Sequence, residues 1–101
     1  MSKKTKLLDP IHPGEILHED FMKPLGVSIN RLAREIRVPP GRISQIVNGR
    51  RAITADTALR LGRFFGTSPQ IWLNMQTHYD LSVALVTTGK EVESRIRPLA
   101  G

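Results

Sequence analysis

Residues 28–49 read SINRLAREIRVPPGRISQIVNG, and the apolar spacing of this stretch decides the fold. Ser28 is a good N-cap for a helix running to about Ile36. Leu32 and Ile36, four residues apart, share one face of it. Pro39 and Pro40 block any continuation, and a second helix is expected from about Pro40 to Val47, closed by Asn48–Gly49. Ile43 and Ile46 give that helix its own apolar face. Val38 plugs the turn between the two, and Ala33 is small where they approach most closely. Two short helices braced this way form the helix-turn-helix pattern, in which the second helix enters the major groove of DNA.

With those six positions turned inward, the outward face of the second helix carries Pro40, Gly41, Ser44, Gln45 and Asn48, with Arg42 near its N-terminus. Arg42, Ser44 and Gln45 are the expected base readers. Gln45 can pair with adenine and Arg42 with guanine or a phosphate, each good bidentate contact giving ~1–3 kcal/mol of discrimination. Pro40 and Gly41 offer no base-reading side chain and only shape the approach. Asn48, Arg50 and Arg51, together with Ser28 and Asn30 at the start of the first helix, suit phosphates. Arg37 stands where such turns often carry glycine. It implies a strained or altered turn and adds a cation near the DNA backbone.

Charge agrees with this reading. Residues 27–66 hold eight arginines against Glu35 and Asp56, a net of +6, while residues 1–26 balance four lysines with four acids and residues 67–101 balance three bases with three acids. The whole formal charge of the chain therefore lies in and just after the motif. An anionic partner follows, with double-stranded DNA as the first candidate.

The rest of the chain frames the motif. Residues 1–8 are expected to be a flexible arm. Pro13 opens a helix whose Ile16, Leu17 and Phe21 reach about Met22, stopped by KPLG at 23–26. Thr54 caps a helix over Ala55–Phe65, ended by Gly66. Ser68–Pro69 opens a last helix to about Val86 with Gly89 as its stop, leaving 89–101 as a tail. The expected architecture is all-α, a five-helix domain over 9–88, with Leu17, Phe21, Leu32, Ile43, Ile46, Leu59, Leu61 and Phe65 in its core. The stripe Trp72, Met75, Tyr79, Val83 and Val86 on the last helix is expected to serve partly as core and partly as a two-fold interface, which makes Trp72, Met75, Tyr79 and Val83 the candidate homodimer residues.

At 101 residues the chain has room for one domain and a modest core. It has no cysteine, hence neither disulfides nor thiol chemistry. No run reaches the ~18 apolar residues of a membrane span, and no signal sequence is visible, so a soluble cytoplasmic protein is expected. His12 and His18 lie six residues apart, on different helix faces, and do not make a metal site with Glu15 and Glu19. Neither a catalytic triad order nor a phosphate loop appears. The expectation is a non-enzyme without cofactor or metal. Glu15, Glu19 and Asp20 form an acidic patch on a basic domain, either a solvated face or a contact for a basic protein partner.

Three stretches extend the match beyond the motif: HPGEIL at 12–17, RISQIVNGRRAITADTALRLGRFFGTSPQIWLNMQ at 42–76, and Tyr79-Asp80-Leu81. Together they resemble the HigA-type, or VapI-like, antitoxins of the Cro/C1 helix-turn-helix family, over roughly residues 9–82. The resemblance implies a compact Cro/C1-type DNA-binding domain that dimerises, represses its own operon at a palindromic operator, and neutralises a HigB-type, RelE-like ribonuclease toxin. By the family pattern the major-groove positions fall on Pro40, Gly41, Arg42, Ser44 and Gln45, and the backbone positions on Asn48, Arg50 and Arg51. Two other readings of the residues stand beside it: a stand-alone repressor, and a protein-interaction module on the same fold.

Overall fold

The structure, a computed structural model, describes residues 10–100. The expected N-terminal arm, residues 1–8, lies outside the described residues. Five helices follow one another, and no strand occurs among the described residues. Helix α1 spans 13–25, α2 Ile29–Ile36, α3 Pro40–Val47, α4 Ala55–Phe65 and α5 Pro69–Arg95. None is long and apolar enough to cross a membrane among the described residues.

The N-caps follow the sequence. Ser28 Oγ accepts the amide of Arg31 at 3.1 Å, Thr54 Oγ1 that of Thr57 at 3.4 Å, and Ser68 Oγ that of Ile71 at 3.3 Å. The cap of α1 is less usual: His12 Nδ1 accepts the Gly14 amide at 2.9 Å. Helix ends at 26, 49 and 66 use glycine in the left-handed conformation. Helix α2 ends the same way on Arg37, at φ 63° and ψ 49°. An L side chain there is strained by about 1–2 kcal/mol. Two contacts offset this. The Val38 amide returns to the Ala33 carbonyl at 3.0 Å, and Arg60 donates to the carbonyls of Ile36 and Arg37 at 2.8 and 3.3 Å.

Two helix ends differ from the sequence expectation. α1 does not stop at Lys23 but continues through Pro24 to Leu25, with Leu17–Met22 wound as a π-helix. The wider winding immediately precedes Pro24, whose ring would meet the carbonyl four residues back in a regular α-helix. The second difference is Gly89, which does not stop α5; the helix runs on to Arg95, so the expected tail begins with helix. A single glycine weakens a helix by only about 1 kcal/mol, which neighbouring turns absorb.

The core gathers Leu17, Met22, Leu32, Ile43, Ile46, Ile53, Leu61 and Trp72, all essentially sealed from solvent. Phe21 and Phe65 pack on Trp72 with ring centroids 4.9 and 6.3 Å away, and the indole N–H donates to Thr67 Oγ1 at 2.8 Å. Leu59 was expected here but is 61% exposed. It lies two residues before the buried Leu61, on the outer side of α4.

Trp72 also overturns part of the expected dimer surface, because it is fully buried within one chain. Met75, Tyr79 and Val83 are half-buried along the same side of α5. The free apolar side is the opposite one. Leu81, Leu85 and Val92 each lie nine residues, about two and a half turns, beyond the inward-facing Trp72, Gln76 and Val83. They are 58%, 61% and 46% exposed.

His12 links this fold to pH. Its ring meets Tyr79 edge-on at 4.8 Å, and burial lowers its proton affinity below the ordinary histidine value, against a smaller opposing pull from Asp80. The unfolded chain takes up the proton near pH ~6.5, where the folded one does not. Stability contributed by neutral His12 is therefore complete above that pH and falls as pH drops through it toward the lower folded value. Denaturant unfolding between pH 8 and pH 5 should show this loss. A His12→Asn variant, which keeps an N-cap acceptor, should show a weaker dependence.

Candidate nucleic-acid interface

α2 and α3 meet at the turn around Val38, and their N-termini open on one shallow groove. Its lining comprises Ser28, Ile29 and Asn30 from α2, Pro40, Gly41 and Ser44 from α3, and His18, Met22 and Val27 from the α1 side. Helix N-termini carry unpaired amides and a partial positive charge, so the groove suits an anion such as a phosphate. A Cβ added at Gly41 would meet nothing within 4 Å, so no packing inside the chain requires glycine there. The bare backbone at this position is therefore available for close approach from outside.

Gln45 is exposed at the next turn of α3, and its Oε1 accepts from Arg51 Nη1 at 3.0 Å. The loop after α3 folds back on its end, with the Arg50 amide on the Gln45 carbonyl at 2.8 Å and Gly49 at φ 75°. Arg50 and Arg51 project into solvent from this loop. Asn48 closes α3, its Nδ2 donating to the Ser44 carbonyl at 2.9 Å.

Ser28, Asn30, Pro40, Gly41 and Ser44 thus share one concavity, while Gln45, Asn48, Arg50 and Arg51 cluster at the other end of α3. Two of the sequence-derived residues fall elsewhere. Arg42 does not project freely from α3; its Nη1 is 2.9 Å from Asp56 Oδ2 at the start of α4. Asp56 also receives Arg60 Nε at 3.0 Å, and these two guanidinium groups, Arg60 first, hold its carboxyl below the usual carboxylate range. Arg42 therefore ties α3 to α4, which leaves Ser44 and the Arg51-bonded Gln45 as the candidate readers on that turn. Arg37 lines a different groove, between α2 and α4, with Leu59, Arg60 and Arg63. His18 was missed by the sequence reading. Ten residues before the motif and on another helix, it carried no pattern linking it to the groove.

The acidic residues Glu15, Glu19 and Asp20 are exposed on α1. Glu19 is paired with Lys23 Nζ at 3.1 Å and hydrogen-bonded to His18 Nδ1 at 3.1 Å, and these hydrogen bonds, that from Lys23 first, lower its proton affinity.

Substitution at Gly41 separates stability from binding. Gly41→Ala should raise thermal stability slightly, by about 0.5 kcal/mol, because alanine orders the helix better. If the groove receives a phosphate backbone, the same change should weaken duplex binding. Calorimetric melting and fluorescence anisotropy on one protein preparation measure both.

Comparison with known proteins agrees with this geometry. The helix-turn-helix family model matches residues 19–72. Virulence-associated protein I of Dichelobacter nodosus is 60% identical over 74 residues, covering 73% of this chain and 68% of that one. The solved structure of a HigA-family addiction module antidote protein from Coxiella burnetii is 50% identical, with a TM-score of 0.84 over 88% of this chain and 97% of that one. A second structure, Pseudomonas aeruginosa antitoxin HigA with the higBA promoter, is 45% identical, with a TM-score of 0.87 over 90% of this chain and 99% of that one. The chain belongs to the helix-turn-helix family, in the branch that includes the HigA-type antidote proteins and virulence-associated protein I.

Proposed function

We propose that this protein is the antitoxin of a type II toxin–antitoxin pair: a DNA-binding dimer that represses its own operon and neutralises a HigB-type ribonuclease toxin. The observation that carries the reading is the joint one of site and relatives. The N-termini of α2 and α3 converge on one groove, Gln45, Arg50 and Arg51 are exposed toward the other end of α3, and the chain shares its fold with a 45%-identical antitoxin solved with promoter DNA. Ser44 and Gln45 read bases in this scheme. Ser28, Asn30, Asn48, Arg50 and Arg51 hold the phosphate backbone, with Pro40 and Gly41 permitting close approach. The protein acts without chemistry of its own and belongs in the cytoplasm, where its operator is.

Binding should be steeply salt-dependent. Four arginines, Arg50 and Arg51 from each of two copies, imply a slope of log K against log salt of roughly −4. Anisotropy with a duplex from the protein's own promoter, titrated with potassium chloride, measures this. Absence of binding at low salt would leave only a protein-interaction role on the same fold.

Two copies are proposed to pair along the second half of α5. This part of the helix runs beyond the domain body and exposes Leu81, Leu85 and Val92, and a free helix of such length is marginal in water. Pairing there buries the stripe and places two α3 helices on successive major grooves, about 34 Å apart. The acidic patch, Glu15, Glu19 and Asp20, is the proposed surface for a basic toxin, with Glu15 and Asp20 free of ion pairs among the described residues. Leu81→Glu combined with Leu85→Glu should give a folded monomer by analytical ultracentrifugation, with operator affinity lowered by two orders of magnitude or more. Glu15→Lys with Asp20→Lys should spare DNA binding and weaken co-purification of the neighbouring toxin gene product.

A further inference from the structure

One turn of α5 reaches the far end of the loop that follows α3 directly, and its near end through His12. At the far end, the buried amide of Ile53 donates to Gln76 Oε1 at 2.8 Å. Gln76 is itself only 6% exposed, and its Nε2 donates to Asp80 Oδ1 at 2.9 Å. At the near end, the His12 ring lies over Gly49, within 4 Å of where a Cβ would sit, and rests edge-on against Tyr79. Between these two anchors stand Arg50 and Arg51, and Arg51 in turn holds the carboxamide of Gln45.

The Ile53 amide precedes α4 and has no helical or sheet partner, so a buried side-chain acceptor must satisfy it. Among common side chains of this length, glutamine alone supplies a neutral acceptor there and a donor for Asp80. Methionine would fill the space and leave the amide orphaned. Glutamate would keep the acceptor but set two carboxylates side by side.

We propose that Gln76 is a positioning residue for DNA recognition: from the C-terminal helix it fixes the loop that presents Arg50 and Arg51 and, through Arg51, orients Gln45. The proposal rests on the DNA-binding reading above. Its consequence is that α5, the helix whose other side is free for a partner copy, is mechanically joined to the base-reading end of α3.

The test is operator binding by the full chain, measured by anisotropy across a salt series at a temperature where circular dichroism shows each variant folded. Gln76→Met should lower affinity about tenfold, the effect of orphaning one buried amide, and make the salt dependence shallower. It should also remove hydrogen-exchange protection at the Ile53 amide. In its background Gln45→Ala should have little further effect, whereas in the unmodified protein that change should be clearly felt. The double variant Gln76→Glu/Asp80→Asn exchanges acceptor and donor between the two positions. The introduced carboxylate can receive both Ile53 and the new amide, and affinity should recover.

Wild-type affinity and salt slope in folded Gln76→Met would overturn the proposal while leaving DNA binding intact. So would a Gln45→Ala effect that is fully additive with it. If the unmodified protein itself fails to bind the duplex at low salt, the DNA reading falls, and the positioning role falls with it.

Discussion

At Gly14 the first turn of α1 runs directly against the end of α3. A methyl group on that α-carbon would overlap the Ile46 carbonyl, so no residue with a side chain fits without moving a helix. The close approach puts His12, two residues earlier, where it can cap α1, cover Gly49 and meet Tyr79. It also buries Leu17 and Ile46 completely in the core. The exit of α3, the loop of Arg50 and Arg51, and the start of α1 are therefore one packed unit.

The entry of α3 is held differently, by charge. Asp56 at the start of α4 takes Arg42 from α3 and Arg60 from its own helix, and Arg60 continues to the carbonyls that end α2. Exposed ion pairs of this kind add little stability on their own. Here their geometric effect is greater than their energy. They stop the carbonyl ends of α2 beside a strained Arg37 and turn Arg42 away from the groove. That withdrawal leaves Ser44 and Gln45, the latter held by Arg51, as the candidate base readers on α3.

α5 carries two apolar sides for two different reasons. Trp72 and Gln76 close the domain, one by burying a large ring and the other by satisfying a loop amide. Leu81, Leu85 and Val92 stay largely exposed and close no core among the described residues. The dimer proposed above would cover that second side. The aromatic stripe around Trp72 looks equally suited to a core or an interface when written as letters, because the spacing is the same in either case.

Local chemistry made much of the fold legible in the sequence. N-caps at Ser28, Thr54 and Ser68, the proline pair at 39–40, and the i, i+3 and i, i+4 apolar pairs around Val38 act within a few residues, so the sequence alone determined the helices, the motif and the concentration of positive charge. What acts across the chain stayed hidden. Nothing local shows that Pro24 follows a π-wound turn, that Gly89 lies inside a helix, or that Leu59 faces outward. The tertiary structure alone decided that Arg42 pairs with Asp56, that His18 joins the groove, that Trp72 is core, and that Gln76 holds Ile53. Each of these depends on which surfaces meet once the helices pack, and periodicity along one helix carries no information about its neighbour.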